Sequence, residues 1–251
     1  MHEHAKPPIL LLHGGFGRPE LMAPWVDVLQ SAGHRVHTPA LPGRDPSDDA
    51  ILERTGIDDC YEVASAAYDS LGEPAIVIGH SLGGLIAQKI AAGRSPLAVV
   101  LLASVPPGTL WTRPTMTPHL IPVLPAILRG RPFLPSAHTM RNVPLVSLPT
   151  AEQGALIPRL VRDSGRIYRE MSLGFAPTRV KRTDVTCPVL CVSAGQDRNV
   201  APWISRRIAA RYDAEHQIHP ELPHWIIAES AVDRVAPPVL AWLEKALRRD
   251  Q

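Results

Sequence analysis

Short runs of apolar, β-branched residues alternate along the chain with longer stretches in which apolar positions recur three or four apart. The short runs predict strands at Pro8–Leu12, Arg35–Pro39, Ala75–Gly79, Ala98–Ala103, Val189–Ser193 and His216–His219. Between them the helical period predicts helices near Glu20–Ala32, Asp58–Leu71, Leu82–Arg94, Pro202–Tyr212 and Pro238–Arg249. A run such as Val99-Val100-Leu101-Leu102 has no polar face, so its strand needs cover on both sides. Crossover helices between successive strands supply that cover and make the strands parallel. The expected architecture is a doubly wound α/β fold on a mostly parallel sheet of about six strands.

The alternation stops once. From 105 to 182 no strand pattern is evident, and 11 of the 27 prolines fall between Pro106 and Pro158. Helically spaced apolar residues persist there, as at Ile121, Leu124, Ile127 and Leu128, but the prolines keep interrupting them, which predicts short kinked helices and ordered loops. The expectation is a core formed by 1–104 and 183–251, with 105–182 inserted as a helical, proline-rich cap.

Composition narrows the classes. At 251 residues and 45% hydrophobic the chain can bury a sizeable core. A net charge of +2, with no basic tail, argues against a nucleic-acid partner. That balance hides a segregation: residues 105–182 carry eleven Lys/Arg against three acids, which leaves the rest of the chain at net −6. Solvated arginines covering apolar helices are the plain reading of this excess. Cys60, Cys187 and Cys191 are an odd number and too few for a disulfide scaffold; Cys187 and Cys191 lie roughly 13 Å apart if their run is a strand. No signal peptide is recognisable at the N-terminus, and no segment has the roughly 18 apolar residues that span a bilayer. The expectation is a cytoplasmic monomer or homodimer without stable membrane insertion.

Gly79-His80-Ser81-Leu82-Gly83-Gly84 follows one predicted strand and opens a predicted helix. Small residues two before and two after Ser81 allow the close backbone approach of a sharp strand-to-helix turn that exposes a nucleophile. A second turn, His13-Gly14-Gly15-Phe16-Gly17, follows the first strand. It lacks the lysine of a phosphate-binding loop and the acidic ribose partner of a dinucleotide fold. An oxyanion hole is the better reading, with the amides of Gly15 and Leu82 facing a carbonyl oxygen and His13 bracing the loop.

These features, together with Leu41-Pro42-Gly43-Arg44, resemble the α/β-hydrolase fold superfamily over essentially the whole length. So few residues precede the first strand that the superfamily's N-terminal hairpin is expected to be reduced. The resemblance implies an acid and a histidine after the last two strands: Asp197, just past Val189–Ser193, and His224, just past His216–His219. Asp184 precedes its strand, and His216 and His219 lie within theirs. The superfamily's usual pattern is altered at Arg44-Asp45-Pro46-Ser47-Asp48, which reads as a solvated turn.

A catalytic triad of Ser81, Asp197 and His224, acting on a small to medium hydrophobic carboxylic ester with no metal or cofactor, is what the resemblance implies. Thioester, lactone and C–C hydrolysis or acyl transfer use the same groups, and a non-catalytic ligand receptor is the reading from another class. A serine nucleophile argues against epoxide-hydrolase or dehalogenase chemistry. Phe16, Trp111, Leu124 and Trp225 are the expected substrate contacts.

Overall fold

A computed structural model describes residues 6–45 and 47–248. Six strands, β1 (Ile9–Leu12), β2 (Val36–His37), β3 (Ile76–His80), β4 (Ala98–Leu102), β5 (Val189–Ala194) and β6 (Glu215–His219), form one sheet in the order β2-β1-β3-β4-β5-β6. Every neighbouring pair is parallel, with Leu12 opposite Gly79 and His80 opposite Leu102. Thus β1, β3 and β4 bring their C-terminal ends to the same edge.

Alternate residues of β1, β3, β4 and β5 feed two separate cores. Ile9, Leu11, Ile76, Ile78, Val100 and Leu102 pack on Trp25 and Leu29 of α1 (Ala23–Ser31) and on the apolar stripe of the last helix. The intervening residues Leu10, Leu12, Val77, Val99 and Leu101 pack on α3 (Ile57–Asp69), which follows a short α2 (Asp49–Arg54), and on α4 (Leu82–Arg94). Burial on both faces explains why these strands lack a polar register.

The predicted first helix is split. A 3₁₀ turn covers Pro19–Met22 and α1 begins afresh with Pro24 in its first turn, where a missing N–H costs no hydrogen bond. Predicted strand Arg35–Pro39 shrinks to the two residues of β2, because Pro39 cannot donate to the ladder.

Between β4 and β5 no strand joins the sheet, and Phe133 and Asp163 make a single isolated bridge. Five short helices lie there: α5 (Thr117–Leu120), α6 (Leu124–Arg129), α7 (Ala137–Asn142), α8 (Thr150–Leu156) and α9 (Gly165–Leu173). Pro118 and Pro125 sit in the first turns of α5 and α6, and Pro149 is the N-cap residue of α8. These prolines start helices more than they kink them.

Beyond β5, α10 (Pro202–Tyr212) and α11 (Glu229–Arg248) complete the two layers. The helix expected from Pro238 begins nine residues earlier and runs through Pro237 and Pro238. Ala231, Val232, Val235, Ala236, Val239 and Leu243 form one buried stripe across both prolines, so packing outweighs the hydrogen bonds they delete. Arg249 lies outside the described residues.

The solvated turn expected at 44–48 is a correction. Pro46 is outside the described residues, but the Arg44 side chain is wholly buried and paired with Asp163, which neutralises it, and its Nη1 donates to the Pro42 carbonyl at 3.0 Å. Asp48 then caps α2, accepting from the amides of Ala50 and Ile51 at 2.8 and 3.1 Å.

Candidate active site

Ser81 stands between β3 and α4 at φ 52° and ψ −115°, a left-handed conformation that a non-glycine residue adopts only when its surroundings impose it. The flanking glycines are what impose it. A Cβ on Gly79 would collide with the Gly83 carbonyl, and one on Gly83 would lie 2.5 Å from the Leu12 carbonyl oxygen. The turn is locked further by the Ser81 N–H donating to the Leu102 carbonyl at 3.0 Å and the Ser81 carbonyl accepting from Val105 at 3.0 Å.

Asp197 and His224 reach Ser81 from the loops after β5 and β6. The Ser81 Oγ lies 2.9 Å from His224 Nε2, and His224 Nδ1 lies 2.7 Å from Asp197 Oδ2. A carboxylate only accepts, so Nδ1 carries the proton and Nε2 presents its lone pair to the serine hydroxyl. Asp197 is held in turn: its Oδ1 accepts from the amides of Asn199 and Val200 at 2.7 and 2.8 Å. Ser193 Oγ contacts His216 Nε2 at 2.8 Å, and His219 remains within β6.

Two further histidines support this line. His80 Nε2 donates to the His224 carbonyl at 3.0 Å, fixing the loop that carries His224. His13 Nδ1 donates to the Gly14 carbonyl at 2.9 Å, while its Nε2 accepts from the Leu41 amide at 3.1 Å, so it braces the glycine turn. Burial lowers both histidines to a pKa of about 3, aided by the charge of Arg44 at His13 and by His224 at His80. Both stay neutral, and at His13 the hydrogen bond accepted by Nε2 requires it.

A cavity of about 140 Å³ opens at Ser81. Gly15, Phe16, Leu82 and Trp225 line it from the core, and Met116, Ile127, Met140, Tyr168 and Met171 line it from the segment between β4 and β5. Leu82 is the first residue of α4, where a backbone N–H has no partner within the helix and the helix dipole is positive. Gly15 faces the same space from the opposite loop. Burial, with Asp163 adding to it, keeps the Tyr168 hydroxyl well above its ordinary pKa and therefore an O–H donor. Among the described residues no cluster of three His, Cys, Asp or Glu side chains is placed to hold a metal.

Trp111 and Leu124 do not line this cavity. Leu110 and Thr112 face it while Trp111, 66% exposed between them, lies in a surface recess with Trp203 and Arg207. In α6 the helical phase turns Ile127 inward and leaves Leu124 and Leu128 outside. What a sequence reading does not reach is the pairing of Arg44 with Asp163, which lie 119 positions apart and share no local signal.

Known proteins frame this geometry. A pyrethroid hydrolase of Sphingobium wenxiniae is 30% identical over 134 residues, a match spanning 49% of this chain and about half, 48%, of that relative. A methylesterase from Arabidopsis superposes with a TM-score of 0.69 at 14% identity, covering 94% of this chain and 98% of its own. The monoacylglycerol lipase of Paleococcus ferrophilus does so with a TM-score of 0.72 at 21% identity, covering 95% and 94%. At such identities these two likenesses show a shared fold. The sequence itself matches the Alpha/beta hydrolase family over residues 9–237, and the chain belongs to that family.

Proposed function

We propose that the protein is a serine hydrolase that cleaves carboxylic esters of small to medium hydrophobic substrates. The observation that carries this reading is the unbroken line from Ser81 Oγ through His224 to Asp197, with hydrogen-bond distances of 2.9 and 2.7 Å. His224 Nε2 takes the serine proton as Oγ attacks the ester carbonyl, and Asp197 stabilises the imidazolium. The amides of Gly15 and Leu82 stabilise the oxyanion. His224 then protonates the departing alkoxide, leaving an acyl-enzyme; water, deprotonated by the same histidine, releases the carboxylic acid and restores Ser81.

The residues between β4 and β5 act as the cap over this site and select the substrate. A dry cavity of about 150 Å³ accommodates a benzene-sized group, which sets the scale of what this cavity takes at one end of the ester. The pyrethroid hydrolase relative supports an apolar carboxylic ester as the substrate class. Free, largely buried thiols at Cys60, Cys187 and Cys191 suit a reducing, cytoplasmic setting.

The test is covalent labelling by a fluorophosphonate probe with parallel turnover of acyl esters, thioesters and lactones. Wild type labels, and Ser81→Ala does not. Ser81→Ala and His224→Ala each lose nearly all turnover, by about a million-fold if they act as one unit, and Asp197→Asn loses about 10⁴-fold through the wrong imidazole tautomer. Labelling that survives in Ser81→Ala, or a preference for thioesters over esters, contradicts the reading.

A further inference from the structure

Arg44 and Asp163 form an ion pair in which both side chains are fully buried, at the junction of the glycine turn and the cap. Burial works against the Arg44 charge, yet the adjacent Asp163 carboxylate, with Cys60 and Tyr168 beside it, holds the guanidinium above its ordinary pKa. The carboxylate has other partners too. Its Oδ1 also accepts from the Ser164 amide at 2.6 Å, and its Oδ2 accepts from the Phe16 amide at 3.0 Å. The Phe16 carbonyl in turn accepts from the Val161 amide at 3.0 Å.

Both backbone groups of Phe16 are therefore held by the cap, and they need to be. Phe16 sits at φ 57°, a left-handed conformation costing roughly 1–2 kcal/mol for a residue with a Cβ. The amide of Phe16 shares its peptide plane with the carbonyl of Gly15, so its direction sets the backbone of the residue whose N–H faces the reacting oxygen. The same acid crowds Gly15 directly: a Cβ there would stand 3.0 Å from Asp163 Oδ2 and would collide with the Tyr168 hydroxyl. A bare carboxylate so close to a developing oxyanion would oppose it. Arg44 removes that repulsion.

The cap is firmly seated around this point. Ser164 Oγ donates to the Thr55 carbonyl at 2.6 Å, and Glu170 accepts from the Ile57 amide at 2.8 Å at the start of α3. A donor at an oxyanion site is effective only within a few tenths of an ångström of its productive position, which calls for rigid neighbours.

We infer that Asp163, neutralised by Arg44, is a positioning residue that acts through the Phe16 backbone to aim the Gly15 N–H, so that the cap supplies part of the oxyanion hole's preorganisation. This rests on the proposed roles of Ser81 and Gly15. It assigns a catalytic consequence to a cap residue that touches no substrate.

The experiment compares two double variants, both free of buried charge, since an ion pair can be exchanged for neutral side chains with little loss of stability. Arg44→Met/Asp163→Asn keeps an acceptor for the Phe16 amide; Arg44→Met/Asp163→Leu does not. With p-nitrophenyl butyrate, the first stays within about threefold of wild-type kcat, and the second loses about 100-fold in kcat with KM little changed, the signature of a lost oxyanion donor. Affinity for an apolar trifluoromethyl ketone, which forms a tetrahedral adduct, falls by a similar factor in the second variant only. Val161→Pro deletes the other hydrogen bond to Phe16 without touching a charge, and loses about tenfold in kcat alone.

Equal kcat in the two double variants overturns the inference, as does a Val161→Pro enzyme with wild-type kcat. Fluorophosphonate labelling of wild type and Ser81→Ala separates the levels. Label lost in Ser81→Ala with unchanged kcat at position 163 sinks the positioning role alone, whereas label retained in Ser81→Ala sinks the proposed mechanism and this inference together.

Discussion

A histidine that refuses a proton holds the proposed base in place. His80 anchors the His224 carbonyl through Nε2–H, its pKa is lowered to about 3 by burial, and His13 is lowered equally behind the glycine turn. In the unfolded chain both return to about 6.5, so between pH 6.5 and 3 the unfolded state binds protons that the folded state excludes. Stability therefore falls as pH drops through this window, at up to about 1.4 kcal/mol per pH unit for each histidine, and these two groups add no further loss below it. Urea unfolding of wild type and His80→Gln at pH 7, 6, 5 and 4 checks this. The variant starts less stable but loses stability less steeply, and equal slopes contradict the buried-histidine account.

On the proposed reading, substrate choice is set by the inward faces of the short helices between β4 and β5. Ile127, 7% exposed, faces the cavity from α6, whereas Leu124 on the same helix is 45% exposed. Ile127→Ala enlarges the cavity and shifts preference toward longer acyl chains, with KM changing more than kcat, at a stability cost of about 2–4 kcal/mol. Leu124→Ala and Trp111→Ala leave the chain-length profile unchanged. A series of p-nitrophenyl esters from acetate to decanoate measures both outcomes, and a shifted profile in Leu124→Ala contradicts the assignment of faces.

How much of this was legible follows from how local each signal is. The elbow at Ser81 is spelled by glycines two residues either side, and the strands by unbroken apolar runs, so both could be read directly. Asp197 and His224 are legible only through the family resemblance, which implies an acid and a histidine after the last two strands. The phase of α6 could not be read, because Ile121, Leu124, Ile127 and Leu128 are apolar on both sides and only the packed structure says which side faces Ser81. Nor could Arg44, whose burial depends on a partner 119 residues away. Pro237-Pro238 misled for the converse reason: a local helix breaker is overruled by a stripe of long-range contacts.

At the level of the whole molecule, the excess of positive charge in residues 105–182 is spent on the exterior. Arg162 pairs with Asp49 at 3.0 Å, Arg166 with Glu170 at 2.9 Å, and Arg169 donates to the Leu128 carbonyl at 2.8 Å. The arginine beside the cavity, Arg198, comes from the β5 loop and is engaged with the Asn142 carbonyl at 2.8 Å. Charges so placed give little steering toward Ser81. Hence kcat/KM for a carboxylate-bearing ester and for a neutral ester of equal size respond in parallel as salt passes 0.1 M, where screening sets in at about 10 Å. A selective fall for the anionic ester would restore a steering role to the cap.

The two borders of the sheet bear on how the chain behaves in a crowd. Its β2 margin is only two residues long and is followed at once by Pro39 and Pro42, which cannot donate to another strand. Its β6 margin reads Glu215, His216, Gln217, Ile218 and His219, polar at every place but one. An all-parallel sheet folds slowly and lies open to wrong partners while it does so. Borders that offer a neighbour so short a template, or so wet a one, let the chain complete its sheet alone instead of being extended into a fibril by its own copies.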